Sequence, residues 1–192
     1  MKKIVVIGPE STGKSSLCEQ LAQHYNTLWC PEYAREFLLT YGTKYSYEDL
    51  LTIAKGQIAG EEKYESLIRE QEAGVNIKSS NSPVTAHEAL LLIDTDMYVM
   101  KVWCEFVFDK CHRFILKQII ERKYDLYLLC NVDLPWIADE LREYPDLETR
   151  EKLYKMYKDI MVSQSVPWVD IKGDYKERFQ IAVRSVDSLL KE

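Results

Sequence analysis

The chain has 192 residues, of which 46% are apolar and 29% are charged. These values are typical of a globular protein of one domain, so we expect a single domain over residues 1–192. The formal net charge of −6 argues against an extended nucleic-acid surface, which needs clustered lysine and arginine. No apolar run reaches the roughly eighteen residues of a membrane span, and the five cysteines lack paired metal-type spacing. We therefore expect a cytoplasmic protein with reduced thiols and with neither a nucleic-acid nor a membrane partner.

Short apolar runs alternate with amphipathic stretches along the chain, which is typical of parallel strands joined by crossover helices. The sequence predicts five strands, and the third and fourth are apolar enough to be buried on both faces of a sheet. The strands are predicted at 3–7, 27–30, 89–93, 125–130 and 168–171, and the helices at 14–25, 33–39, 46 to about 72, 97–107, 112–122, 147–164 and 174–190.

Three local signals support these boundaries. The Ser46 hydroxyl is placed to cap the third helix, and Asp174 with Glu177 has the spacing of a capping box at the start of the last helix. Residues 74–87 are rich in serine, asparagine and other polar residues, which predicts a long loop.

A phosphate-binding motif follows the first predicted strand. Residues 8–15 read GPESTGKS, which satisfies G-x-x-x-x-G-K-[ST] between a strand and a helix, and this setting argues against an incidental glycine-rich turn. In such a loop, backbone amides and the helix N-terminus bind phosphate oxygens. Lys14 is expected to contact the β- and γ-phosphates of ATP, and Ser15 to ligate Mg²⁺. The residues predicted to bind the nucleotide are Gly8, Glu10, Ser11, Thr12, Gly13, Lys14, Ser15 and Ser16.

Two carboxylates stand at the end of the third predicted strand, in the sequence LLLIDTD. A carboxylate at this edge of the sheet would meet the same Mg²⁺, and we assign this role to Asp94. The alternative for Asp94 is the N-cap of the next helix, a role that Asp96 or Thr95 could serve instead. We predict that Asp96 contacts the phosphoryl acceptor and keep the cap as its alternative.

Glu32 and Arg35 follow the second predicted strand, at the same edge of the sheet. Glu32 is placed to take or orient the proton of an acceptor hydroxyl, while Arg35 holds negative charge on the transferring group or the sugar. The alternative is an i, i+3 salt bridge on a helix surface.

Residues 131–142 follow the fourth predicted strand, where many small-molecule kinases carry a mobile lid. Arg142 is the cation that we expect such a lid to bring over the γ-phosphate, with Arg150 as the alternative. Either arginine would otherwise lie on a solvated helix face.

Three aromatic side chains are candidates for stacking on a planar ring, although core packing is their alternative: Tyr33, Trp103 and Trp136.

Six motifs together resemble the ribosylnicotinamide kinase domain of the NadR proteins, which are bacterial regulators of NAD synthesis, and its stand-alone AAA-type relatives. They run in order across nearly the whole chain: GPESTGKS at 8–15, PEYAREFL at 31–38, IDTD at 93–96, YDLYLL at 124–129, DLPWIADELR at 133–142 and GDYKERF at 173–179.

This resemblance implies an α/β fold of the P-loop NTPase class, with a nucleoside-kinase-like, five-stranded parallel sheet and helices on both faces. It also implies Mg²⁺-dependent transfer of the ATP γ-phosphoryl group to the 5′-hydroxyl of nicotinamide riboside. NadR proteins carry an adenylyltransferase domain, and often a DNA-binding domain, ahead of the kinase, and neither is expected here. Pro31 and Glu140 stand where the family commonly has tryptophan and glycine, and Trp29 is a possible replacement for that tryptophan.

Two other functions stay open at this point. One is a kinase for another nucleoside or for a nucleotide, because the residues that select the base cannot be placed from sequence. The other is an ATP-binding regulator or sensor that acts through a protein partner and has no small-molecule acceptor. The sequence does not define the oligomeric state.

Overall fold

A parallel sheet of five strands organises the fold, in the order β2-β3-β1-β4-β5. The computed structural model of the chain describes residues 1–78 and 89–191. All neighbouring strands run in the same direction, which confirms the predicted parallel sheet. The strands are β1 (Lys2–Ile7), β2 (Trp29–Cys30), β3 (Leu90–Asp94), β4 (Leu126–Cys130) and β5 (Trp168–Ile171).

Helices cover both faces of this sheet. Alternate residues of β1 point to opposite faces, because side chains of a strand alternate with a period of two. Ile4 and Val6 pack against α1 and α7, whereas Val5 and Ile7 face the side covered by α3, α4 and α6. The helices are α1 (Lys14–Tyr25), α2 (Tyr33–Tyr41), α3 (Tyr47–Lys78), α4 (Met97–Phe108), α5 (Arg113–Glu121), α6 (Leu147–Ser163) and α7 (Tyr175–Leu189).

A third apolar cluster lies beside the sheet and joins α2, α3, α4 and α5. Phe37 of α2, Ile53 of α3 and Met100 of α4 are among its buried members. This cluster matters for the site because it holds α2, which begins directly after β2, against the neighbouring helices. None of the described helices is long and apolar enough to cross a lipid bilayer.

The predicted caps are present, but the boundary of the third helix differs from the prediction. The Ser46 hydroxyl accepts the Asp49 amide at 3.3 Å, and Asp174 and Glu177 form the predicted capping box. α3 continues to Lys78 and not only to about residue 72, so the prediction of a loop over 74–78 is wrong. Each residue that extends the helix past Gly74 adds one backbone hydrogen bond. This gain outweighs the low helix propensity of a single glycine. The rest of that predicted loop, residues 79–87, lies outside the described residues.

The two edge strands of the sheet are short, and each is bordered by a proline. β2 has two residues and is followed by Pro31, while β5 has four residues and is preceded by Pro167. The three central strands carry most of the core, and the residues of β3 and β4 are all buried, as predicted.

Candidate active site

The phosphate loop joins β1 to α1 at the carboxyl edge of the sheet. Gly8 has φ +142°, and a side chain there would place its Cβ 2.6 Å from the carbonyl oxygen of Cys130. The glycine is therefore required for the close approach of the loop to β4. Thr12 Oγ1 donates to the Pro9 carbonyl oxygen at 2.7 Å, and Lys14 Nζ lies 3.2 Å from the same oxygen. The loop thus presents Lys14 at the start of α1, as the motif predicts.

Ser15 and Asp94 meet across the sheet edge. Ser15 Oγ donates to Asp94 Oδ2 at 2.5 Å, and the Asp94 carboxyl is fully buried. Its other oxygen, Oδ1, has no hydrogen-bond partner among the described residues. Burial raises the pKa of Asp94 to about 7, and the nearby negative charge of Glu32 adds to this effect. The positive charge of Lys14 acts in the opposite direction.

This pair fits the predicted magnesium site. A hydroxyl and a carboxylate are hard oxygen donors of the kind that Mg²⁺ prefers, and a buried carboxylate oxygen without a partner is suited to a cation. Within residues 1–78 and 89–191, no three His, Cys, Asp or Glu side chains cluster so as to hold a metal ion. Ser15 and Asp94 are therefore the described side chains that would hold such an ion.

The structure gives Asp96 the alternative role, that of a helix cap. Asp96 Oδ1 accepts the amides of Tyr98 and Val99, in the first turn of α4, and Oδ2 accepts the Tyr127 hydroxyl at 2.8 Å. The side chain is buried and does not line the cleft beside the phosphate loop. Because both carboxylate oxygens are engaged in these contacts, we do not retain the prediction that Asp96 contacts the acceptor.

Glu32 and Arg35 both line the cleft beside the phosphate loop, as predicted. Glu32 is the N-cap residue of α2, yet its carboxylate forms no cap and hydrogen-bonds to no residue that the structure describes. Arg35 instead makes a two-pronged contact with Asp139, with Nη2 2.9 Å from Oδ2 and Nη1 3.4 Å from Oδ1. The alternative of an i, i+3 salt bridge within α2 is therefore not what the structure shows.

Residues 131–146, here called the lid segment, connect β4 to α6 without a helix or strand. Of the two candidate arginines, Arg142 lines the cleft and donates to the carbonyl of Ile137, within the same segment. Arg150 is a buried residue of α6 that donates to the carbonyls of Ser11 and Leu134, at 3.4 and 3.3 Å. Arg150 thus braces the phosphate loop against the lid segment, and Arg142 is the arginine beside the open cleft.

Glu10 also ties the phosphate loop to the lid segment. Its carboxylate accepts the backbone amide of Glu143 at 3.0 Å and that of Tyr144 at 2.5 Å. Next to it, Ser11 Oγ accepts the Ile137 amide at 3.0 Å. The sequence predicts both residues as nucleotide ligands, and it does not reveal these contacts with the lid segment.

A buried arginine behind the loop is a further residue that the sequence did not single out. Arg178 of α7 is 3% exposed. It donates to the carbonyls of Thr12, Asn131 and Gly173, at 2.9, 2.9 and 2.8 Å, and it pairs with the Asp133 carboxylate. Because one guanidinium satisfies carbonyls from the phosphate loop, the lid segment and the turn before α7, it fixes these three segments relative to one another.

The cleft has a volume of about 320 Å³ and combines the phosphate loop with an aromatic wall. Trp103 belongs to that wall, as predicted, and so does Trp29. Tyr33 and Trp136 are not among the lining residues, so the prediction that they stack on a ring is not supported. The aromatic side chains that line the cleft are Trp29, Trp103, Phe106, Tyr144 and Tyr157.

Comparison with known families agrees with this geometry. The sequence model of the family described as "AAA domain" matches residues 3–178. The chain belongs to this AAA domain family. Among curated proteins, this AAA domain is similar to the trifunctional NAD biosynthesis/regulator protein NadR of Salmonella typhimurium, with 26% identity, and of Escherichia coli, with 25% identity, each over 197 residues. The alignments cover the whole chain but 43% of each NadR protein, so the chain spans less than half of their length.

Solved structures share the fold of this AAA domain. A NadR protein in complex with NR superposes with a TM-score of 0.75 at 22% identity, over 100% of this chain and 50% of that one. Thymidylate kinase from Ehrlichia chaffeensis gives 0.61 at 13% identity, over 96% and 98% of the two chains. Deoxyadenosine kinase from M. mycoides gives 0.52 at 15% identity, over 97% and 100% of the two chains. The resemblance to NadR and the predicted nucleoside-kinase-like P-loop NTPase fold are thereby confirmed.

Proposed function

We propose that this AAA domain, as one unit over residues 1–192, transfers the γ-phosphoryl group of ATP to a hydroxyl of a small nucleoside. Nicotinamide riboside is the first candidate. The observation that carries the proposal is the arrangement at one cleft of the Ser15–Asp94 pair, which suits a metal, and the Glu32 carboxylate, which makes no hydrogen bond with a described residue. Phosphoryl transfer to a hydroxyl needs a metal site for the donor phosphates next to a carboxylate that can accept the hydroxyl proton.

The residues of the cleft divide the work as follows. The loop amides and Lys14 would bind the β- and γ-phosphates, while Ser15 and Asp94 would hold Mg²⁺. When bound, the ion neutralises charge that develops on the phosphate oxygens. Glu32 would accept or orient the proton of the acceptor hydroxyl, and Arg142 would stabilise the transferring group from the lid segment.

The cleft suits an aromatic base that carries a positive charge. Five aromatic side chains line the cleft as a whole, and its acidic and basic side chains are four carboxylates and three cations, which include those of the phosphate loop and of the metal pair. Aromatic faces attract cations through their quadrupole, and carboxylates add to that attraction. Of the two arginines, Arg35 already pairs with Asp139, and Arg142 is assigned to the transferring group, so no arginine of the cleft is left for an acceptor phosphate. A nucleoside with a pyridinium base fits these features better than a nucleotide does.

The comparisons support the same proposal. The chain aligns along its full length with NadR proteins, and the NadR structure that superposes on it was determined with NR bound.

The test is ADP release, measured in a coupled assay over a panel of nucleosides and nucleotides with ATP and Mg²⁺. We expect nicotinamide riboside to stimulate turnover more than neutral nucleosides do, and nucleotides to give the weakest response. The variant Glu32→Gln should lose about a hundredfold or more in kcat, since general-base catalysis contributes that much. Glu36→Gln is the matched control, because Glu36 lies one turn further along α2 and is exposed.

Failure of every nucleoside to stimulate turnover, in a protein that binds ATP, would overturn the proposal. A slow loss of ATP that responds to a protein and to no small molecule would favour the regulator or sensor instead.

A further inference from the structure

A buried glutamine links the two strand ends that carry Glu32 and Asp94. Gln57 lies in the middle of α3 and is 1% exposed. Its Oε1 accepts the Tyr33 amide at 2.8 Å, and its Nε2 donates to the carbonyls of Asp94 and Thr95, at 3.2 and 2.9 Å. One side chain therefore fixes the start of α2 and the end of β3 at the same time.

The contact with Tyr33 satisfies the first amide of α2. The first amides of a helix lack partners within the helix, and the N-cap side chain usually accepts one of them. Here Glu32 is the N-cap residue of α2 but provides no such bond. Gln57 accepts the Tyr33 amide from another helix, and the Glu32 carboxylate makes no cap bond and lines the cleft.

The residue before Gln57 strengthens this link. Gly56 packs so closely against Tyr33 that a Cβ there would lie 2.1 Å from Tyr33 Cε1. Glycine in a helix interior is less favourable than alanine by about 1 kcal/mol, so its presence in α3 is explained by this contact with the Tyr33 ring. Gly56 and Gln57 thus hold both the ring and the amide of Tyr33.

We propose that Gly56 and Gln57 are positioning residues that set the separation of the Glu32 carboxylate from Asp94 for phosphoryl transfer. This inference rests on the proposed function. Neither residue lines the cleft, so neither is expected to touch a substrate. A purely structural role for a buried glutamine predicts a lower melting temperature alone, whereas a positioning role predicts a loss of kcat at temperatures where the variant is fully folded.

The chain offers a matched pair of variants for the test. Gly56→Ala and Gly60→Ala make the same change one helical turn apart in α3, and both raise helix propensity. A Cβ at Gly60 would lie 3.4 Å from Cys30 Sγ, which is an ordinary contact, whereas a Cβ at Gly56 would collide with the Tyr33 ring. Gln57→Leu removes the hydrogen bonds of the amide and keeps the approximate size of the side chain.

We expect Gly56→Ala and Gln57→Leu to lower kcat by about tenfold or more, with the KM for ATP changed by less than about threefold, because small misplacements of reacting groups are costly. Gly60→Ala should retain the wild-type kcat. Hydrogen exchange of the Tyr33 amide, measured by NMR, should be faster in Gly56→Ala and Gln57→Leu and unchanged in Gly60→Ala.

Wild-type kcat and wild-type exchange of the Tyr33 amide in folded Gln57→Leu would overturn the inference. So would equal losses of kcat in Gly56→Ala and Gly60→Ala. If the wild-type chain transferred no phosphoryl group to any nucleoside, the proposed function would fail, and the exchange measurement would then decide whether these two residues fix the start of α2.

Discussion

The Ser15 hydroxyl and the Asp94 carboxylate lie 2.5 Å apart, although 79 residues separate them in the chain. The contact joins the first turn of α1 to the end of β3, two elements that meet because β1 and β3 are neighbours in the sheet. Parallel strands bring their carboxyl ends to the same edge, and that edge is where ligands bind in open α/β sheets. The pair is therefore a product of the strand order, and both of its members have oxygen atoms available to a metal.

Replacing Asp94 should lower activity without lowering stability. Asp94→Asn keeps the shape of the side chain but removes the negative charge that would hold Mg²⁺, so we expect kcat to fall by about a hundredfold or more. The KM for ATP should rise with it, and added Mg²⁺ should restore little of the activity. Asp159→Asn, on the exposed side of α6, is the control and should behave as the wild type does.

The same variant should be more stable than the wild type at neutral pH when no Mg²⁺ is present. Burial raises the pKa of Asp94 from 3.8 to about 7, so the folded state releases this proton at a higher pH than the unfolded chain does. The stability that protonated Asp94 contributes is present below pH 4 and is lost as the pH rises through 7, and this loss amounts to about 4 kcal/mol. The melting temperature of Asp94→Asn should therefore exceed that of the wild type above pH 7, and the difference should narrow towards pH 4. A difference that does not vary with pH would contradict this explanation.

Replacing Glu10 should weaken binding of the acceptor more than binding of ATP. Its carboxylate accepts the amides of Glu143 and Tyr144, and both of these residues line the cleft. Bonds to a charged acceptor are worth about 1.5–3 kcal/mol, so Glu10→Gln should loosen this part of the lid segment. We expect the KM for the acceptor to rise by about threefold to tenfold, with a smaller change for ATP. Steady-state kinetics with both substrates varied measures the two effects, and Glu151→Gln on exposed α6 surface is the control.

The contact between Arg35 and Asp139 joins α2 to the lid segment. Its side chains are 53% and 19% exposed, so the pair should contribute only about 0.2–1 kcal/mol. Asp139→Asn should accordingly lower kcat/KM for the acceptor by about twofold to fivefold at low salt and less in 1 M NaCl. A double-mutant cycle with Arg35→Ala tests the coupling. Fully additive effects would show that the two residues act independently.

Arg178 should matter for stability as well as for catalysis. Arg178→Met leaves three carbonyls without this donor and removes the contact with Asp133, and an unsatisfied buried acceptor costs about 1–3 kcal/mol. Urea unfolding should show a loss of that size, whereas Arg184→Met, at an exposed position on the same helix, should change little. Equal stability of the two variants would refute the role of Arg178 in joining the loop, the lid segment and α7.

The sheet, its crossover helices and the phosphate loop could be predicted because each has a local signature in the sequence. The roles of the two carboxylates at the end of β3, in contrast, could not be predicted from a local signature. Asp94 and Asp96 are two residues apart, which in a continuing strand would place them on the same face. Thr95 instead has φ +77°, a conformation that β-branched residues rarely adopt. This turn directs Asp94 towards Ser15 and Asp96 towards the first amides of α4. No pattern of residue types reveals such a dihedral angle.

Gln57 and Glu10 could not be assigned from sequence for a related reason. Each acts on backbone amides of distant residues, Gln57 on one 24 residues away and Glu10 on one 133 residues away. Any residue except proline supplies a backbone amide, so the partner leaves no trace in the sequence. The same holds for the division between Arg142 and Arg150, since only packing decides which of them is buried.

The short edge strands have a consequence for how the protein behaves at high concentration. An exposed edge strand is a template to which a strand of another molecule can add, and this is a common route to aggregation. β2 offers only two residues and β5 four, and Pro31 and Pro167 beside them have no N–H group to donate. Growth of the sheet from either side is therefore disfavoured by the backbone itself.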